Sequence, residues 1–267
     1  MIPYSFSYRR AVSLEDAEAL LAKSADAKLL AGGQTLIAAM KMRLAQPSEL
    51  IDISDLKELA FIRASESVIV VGAAAKHFEV AASADVVRAI PALAELACSI
   101  GDPAVRHMGT LGGSLANNDP AADYPAAVLA LNATVKTNRR SIHADAFFTG
   151  MFSTALEDGE IITEVSFPIP ERAGYAKFPN PASRYAMAGV FVAKTGAGVR
   201  VAVTGAGACV FRAHEMEAAL SKSFTPGALA GIEVDPGELN SDIHGSAEYR
   251  ANLVSAMAGR AVTAALR

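Results

Sequence analysis

The chain has 267 residues, enough for one large domain or two to three smaller ones. Hydrophobic residues make up 52% and charged residues 19%, so a sizeable core can form; a net charge of −4, no Trp and 6% aromatic residues argue against a nucleic-acid surface. The two cysteines, Cys98 and Cys209, are far apart and outside any CxxC pattern, which argues against a cysteine-ligated cluster or structural zinc and reads as two buried thiols in a reducing compartment.

In chain order, Ser13 starts a helical pattern with Asp16 three residues later, close to a capping box. Residues 28–31 read as a short buried strand stopped by Gly32-Gly33. Residues 35–45 read as a helix ended by Pro47, and 50–53 as another strand, completing a β–turn–α–β unit. Residues 68–72 form a strand, 86–97 a helix restarted at Pro91, 125–131 a short helix and 133–137 a strand. Residues 145–148 read as a helical turn, and 161–169 as a strand ending in PIP at a domain edge. Residues 189–194 and 199–204 flank Gly196-Ala197-Gly198 as a hairpin, and helices follow at 216–221 and 247–265. MIPYSFSYRR lacks the apolar core of a secretory leader, and no apolar run approaches the about 18 residues that span a bilayer, so the expected location is cytoplasmic.

Two segments share one design, a pair of glycines followed by a small hydroxyl or amide residue: AGGQT at 31–35 and TLGGS at 110–114. Paired glycines let backbone N–H groups converge without Cβ atoms in the way, and a diphosphate is the natural guest of two such loops. Each is equally readable as a tight turn. Neither matches GxGxxG or GxxxxGK[ST]. Asp123 suits either a hydroxylated ligand or the cap of the helix after it. His77 reads as a partly exposed residue at a helix start, and His107 as a ring bordering the second loop. Lys41, Met42 and Arg43 read as a solvated helix face or a partner contact.

AGGQTLIAAMKMRLAQPSELIDI, VRHMGTLGGSLANNDPAADYPA and KFPNPASRYAMAGVFVA, in that order, resemble segments of the flavoprotein (medium) subunit of molybdenum hydroxylases. That family includes aerobic carbon monoxide dehydrogenase and the flavin part of xanthine dehydrogenase. The resemblance implies an α+β fold with two α/β FAD-binding subdomains, at 1–57 and 58–170, of the vanillyl-alcohol-oxidase-like kind. A C-terminal domain at 171–267 would carry a small antiparallel sheet and helices.

It also implies that Ala31, Gly32, Gly33, Gln34 and Thr35 line the FAD diphosphate from one side, and Thr110, Gly112, Gly113 and Ser114 from the other. His107 would border it and Asp123 would hydrogen-bond the polyol or diphosphate. Leu29, Leu30 and Leu36 would lie along the cofactor, with Ile161 or Ile162 at one end of it. Tyr185 would cover a face of the isoalloxazine and Lys177 would lie near the ring. Gln34 and Thr35 stand where many members carry His and Ser, and Pro179 stands where a basic residue is often found.

No residue need act as a general acid or base, because the flavin supplies the redox chemistry. Partners implied are a small subunit with [2Fe-2S] clusters and a large molybdenum cofactor subunit, in a dimer of heterotrimers. A stand-alone FAD reductase or oxidase, and a nucleotide-binding module without redox turnover, are the alternative readings.

Overall fold

The computed structural model describes residues 2–267, which form an α+β fold of three main sheets and their covering helices. β1 (Ser7–Arg10), β2 (Ala27–Leu30) and β3 (Glu49–Asp52) form a parallel sheet in the order β1-β3-β2. α1 (Leu14–Leu21) and α2 (Leu36–Lys41) supply the crossovers that parallel neighbours require. Ser13 caps α1 by accepting from the Asp16 N–H. α2 stops at Lys41 rather than at the predicted Ala45, because Arg43 takes a left-handed φ of 61°. AGGQT leaves the carboxyl end of β2, the position where open α/β sheets place ligands.

The second sheet contains β4 (Ile62–Ala64), β5 (Val68–Gly72), β6 (Thr134–Thr137), β7 (Ser141–His143) and, after a small hairpin of β8 (Phe148–Gly150) and β9 (Ser153–Thr154), β10 (Ile162–Pro168). Its order is β4-β5-β10-β6-β7, so β10 is the central strand and not an edge. Pro168 occupies the last strand position, where a missing N–H disturbs the ladder least. Between β5 and β6 run α3 (His77–Ala82), α4 (Ala84–Ala89), α5 (Pro91–Cys98), α6 (Pro103–Met108), α7 (Leu111–Asn117) and α8 (Tyr124–Ala130). Pro91 and Pro103 each open a helix, where the absent N–H is no loss. α9 (Ala144–Phe147) precedes β8.

β11 (Arg172–Pro179), β12 (Ala186–Thr195), β13 (Gly198–Thr204) and β14 (Phe211–Arg212) form an antiparallel sheet in that order. α10 (His214–Lys222) and α11 (Ala247–Ala265) follow. β12 is buried on both faces from Ala186 to Ala193. Its Phe191 and Ala193 join the core of the second sheet, while Val190 and Val192 pack with Val254, Met257 and Ala261 of α11. Each such aliphatic side chain contributes about 1.5–3 kcal/mol on burial. Cys98 is exposed and Cys209 partly so, both as free thiols, which corrects the expectation that both are buried.

The turn before β10 is held by Glu160, whose buried carboxylate accepts from Arg140 Nε at 2.9 Å, Thr137 Oγ1 at 2.7 Å and the Glu157 N–H at 2.8 Å. The Arg140 hydrogen bond, ahead of the others, lowers its pKa to about 2. A depressed carboxylate adds stability above its unfolded pKa and loses it as pH falls through the folded one. Glu160→Gln is therefore expected to cost about 2 kcal/mol at neutral pH, read by urea denaturation. The gap to wild type should close as pH drops from about 4.5 towards 2.

Candidate cofactor site

The two glycine segments meet backbone to backbone. A Cβ on Gly32 would lie 2.1 Å from Met108 O and 2.8 Å from Gly109 Cα. Gly112 is equally enclosed, since its Cβ would sit 2.6 Å from that of Ala73. These two glycines serve protein packing. Gly113 differs: a Cβ there would meet only Thr110 Oγ1 at 2.9 Å and Ala31 Cβ at 3.9 Å. Gly113 is exposed while Gly112 is buried. Gly33 has φ +69°, which favours glycine, and its would-be Cβ points at Ile37 and Leu30.

The hydrogen-bonding capacity is also divided. Among the described residues, no protein acceptor takes the backbone N–H groups of Gly32, Gly33, Gln34 and Thr35. The second segment, a loop by its glycines, begins α7 with Thr110 as its cap. There the Leu111 N–H donates to Ala75 O at 3.0 Å, Gly112 N–H to Ala73 O at 2.8 Å and Gly113 N–H to Thr110 Oγ1 at 3.2 Å. The first loop thus presents free donors, and the second a bare, side-chain-free surface at Gly113 beside Ser114. This combination fits an anionic diphosphate approaching between Ala31 and Gly113.

Leu30 and Leu36 flank the first loop, while Leu29 and Ala31 pack on the core that holds Ile161. Ile161 is 1% and Ile162 5% exposed, so both side chains are core residues at the start of β10. His107 stacks on Phe78 at 4.4 Å, and its Nδ1 lies 2.7 Å from Pro103 O. Arg43 sits over the Tyr4 ring, and Met42 is exposed.

Asp123 makes no cap hydrogen bond to α8, which corrects that reading. It has the αR conformation, unlike a typical cap residue, and its buried carboxylate is engaged by β11 instead. Tyr175 donates its hydroxyl to Asp123 Oδ1 at 2.5 Å, and Lys177 Nζ lies 2.9 Å from the same oxygen. Lys177 also donates to Ser99 O at 2.9 Å. Burial pushes the Asp123 pKa up, against the pull of Lys177 and Tyr175.

Tyr185 is exposed and lines a cleft of about 290 Å³ with Asp119, Pro120 and Ala121. A larger cleft, about 490 Å³, is bounded by Lys177, Tyr175, Ser99 and Arg184. The glycine loops line neither of these two clefts; what marks them is unpaired donors and open backbone.

Residues 4–170 match the family described as the FAD binding domain in molybdopterin dehydrogenase. The chain belongs to this family. It is 36% identical to the carbon monoxide dehydrogenase medium chain of Hydrogenophaga pseudoflava, over 99% of this chain and 98% of that one. It is 38% identical to the nicotine 6-hydroxylase medium subunit of Paenarthrobacter nicotinovorans, over 97% and 96%. Its fold superposes on reconstituted CO dehydrogenase from Oligotropha carboxidovorans with a TM-score of 0.90 at 33% identity, covering 99% of each chain. Quinoline 2-oxidoreductase from Pseudomonas putida 86 gives 0.89 at 31% identity, over 99% and 98%. The chain is thus an FAD-binding flavoprotein subunit of the oxidoreductase class. Among the described residues, no helix is long and apolar enough to cross a membrane.

Sequence reasoning missed Tyr175 and misjudged His77. Tyr175 shares a β11 face with Lys177 by strict alternation, a signal that was present. His77 is 5% exposed, where a partly exposed residue was expected; it lies against Gly109 and Tyr124, and only the folded chain brings these together.

Gly32→Ala drives a Cβ into Met108 O and should lower Tm by several degrees, as expected for about 2 kcal/mol or more. Gly113→Ala meets only the Thr110 hydroxyl that caps α7, and should lower Tm by about 2–4 °C, as expected for the loss of a helix cap. Asp123→Ala strands the Lys177 ammonium and should cost about 3 kcal/mol, with the pair Asp123→Ala/Lys177→Met recovering much of it in urea melts.

Proposed function

We propose that this chain is the FAD-binding electron-transfer subunit of a cytoplasmic molybdenum hydroxylase. It accepts electrons from the [2Fe-2S] clusters of a small partner subunit, which receives them from a large molybdenum cofactor subunit, within a dimer of heterotrimers. The flavin supplies the redox chemistry, and this chain supplies binding, orientation and field. The observation that carries the reading is the arrangement of free N–H groups at Gly32–Thr35 opposite the bare surface of Gly113.

In this reading Ala31, Gly32, Gly33, Gln34 and Thr35 hold the diphosphate, and Thr110, Gly113 and Ser114 close over it, with Gly112 packed behind them on Ala73. Residues 1–57 and 58–170 contribute one loop each. Residues 171–267 fix Asp123 through Tyr175 and Lys177 and bring Tyr185 towards the ring. Leu29, Leu30, Leu36, Ile161 and Ile162 give the apolar support, and His107 borders the second loop. The relatives named as medium chains, and one named as a subunit of a dehydrogenase complex, support the assignment to a multi-subunit enzyme.

Gly113→Val tests the cradle. In the complex isolated from its native host, the variant should fold, keep its partners and lose nearly all flavin absorbance. Full flavin content in that variant would remove the second loop from the site. Asp123→Ala/Lys177→Met separates binding from folding: a stable double variant with weakened FAD retention assigns Asp123 to the cofactor, and unchanged retention assigns it to the clamp alone.

A further inference from the structure

The second glycine segment is zipped to the chain leaving β5. Gly112 N–H donates to Ala73 O, Leu111 N–H to Ala75 O, and His77 N–H to Gly109 O at 3.0 Å. At the last of these contacts a side chain enters. A Cβ on Gly109 would fall 2.5 Å from His77 Nε2 and 2.9 Å from its Cδ2. Gly109 has φ −62° and ψ 142°, a conformation open to any residue. Its backbone does not require glycine; the imidazole of His77 does, with Val105 O a lesser contact at 3.2 Å.

On its other side the ring meets Tyr124 at 5.3 Å between centroids. His77 is 5% exposed and Tyr124 fully buried, and neither His77 Nδ1 nor the Tyr124 hydroxyl has a partner among the described residues. His77 therefore fills the joint between the start of α8 and the turn that leads into Thr110–Gly113.

We propose that His77 is a positioning residue for the cofactor loop: its neutral ring, wedged between Gly109 and Tyr124, sets the place of the Thr110–Gly113 turn, and protonating it disengages that turn and releases FAD. The proposal rests on FAD occupying the two-loop cradle. A charged imidazole needs donors satisfied on both nitrogens, and Nδ1 is buried without an acceptor. The elements packed on α3 carry Asp85 and Arg88 on α4, Glu95 and Cys98 on α5, Arg106 and His107 on α6, and Tyr124 on α8. Of these, the charge that acts on His77 is the Arg106 guanidinium, which repels a proton; burial is the larger cause, and together they bring its pKa down to about 4.

The sign is fixed by linkage: the closed turn holds the neutral ring, the opened turn frees it towards its ordinary value of about 6.5, so acid favours opening. Lys76 and Glu79, its own neighbours, are tied to each other by the Lys76 N–H to Glu79 Oε2 bond at 2.7 Å.

The test uses the complete complex. FAD retained after gel filtration is read by flavin fluorescence from about pH 7.5 to about pH 4, with far-UV circular dichroism on the same samples. Wild type should lose FAD as pH falls, before its secondary structure, and His77→Gln should flatten that profile. Gly109→Ala should retain about tenfold less FAD at neutral pH, and adding His77→Ala should restore it, since the new methyl occupies the vacated space.

A double variant without rescue, or a wild-type profile that His77→Gln leaves unchanged, overturns the proposal. If His77→Gln fails to fold, the Gly109→Ala and double-variant pair decides alone; if that pair fails to fold as well, the wedge is structural and the proposal falls. Wild type without FAD at neutral pH overturns the cradle reading itself, and the proposal with it. FAD present together with a flat wild-type profile overturns only the proposal.

Discussion

Contact between Gly32 and the Met108–Gly109 peptide is the constraint on which the site depends. Two segments separated by more than seventy residues approach until one backbone touches another. No side chain larger than hydrogen is compatible with that distance. The approach joins the first sheet to the helical layer of the second, and it brings the loop with unpaired N–H groups, Gly32–Thr35, beside the open Gly113. A site built this way is made of peptide groups and missing atoms.

The C-terminal sheet acts on this arrangement through one buried pair. Lys177 and Tyr175 reach from β11 to Asp123, and β13 secures the same stretch, where Thr204 Oγ1 donates to Ala122 O at 2.6 Å and the Gly205 N–H to Pro120 O at 2.8 Å. An ion pair in this setting contributes little net stability against apolar residues of the same volume, yet breaking it is costly. Its consequence is registry: the segment that follows the second glycine loop has one place relative to the third sheet. Tyr185, which ends the separate connection from β11 to β12, lies beside Asp119, Pro120 and Ala121 and shares that placement.

His77 shows how a buried polar residue is accommodated without a partner. Its backbone N–H is satisfied by Gly109 O, while its ring nitrogen Nδ1 is not satisfied at all. Such a group is held by packing, and the packing exists because Gly109 and the Tyr124 ring leave a slot of its shape.

Much of the fold is legible in the chain. The strand–turn–helix–strand unit at the N-terminus, the hairpin around Gly196–Gly198 and the helix at residues 247–265 follow from local pattern, because alternation, capping and turn residues act within a few positions. The paired glycines and their order along the chain suffice to point at a diphosphate and, by resemblance, at the flavoprotein family.

What the tertiary structure alone decided is the division of labour among those glycines. Gly32 and Gly112 are glycine for the protein's own close packing, Gly109 for the imidazole of His77, and Gly113 for the space beside Ala31. It also gave Asp123, readable as a ligand contact or a helix cap, to Tyr175 and Lys177, and set β10 at the centre of its sheet. These are long-range contacts. A missing side chain or a carboxylate looks the same in sequence whatever approaches it, and only the folded chain shows what does.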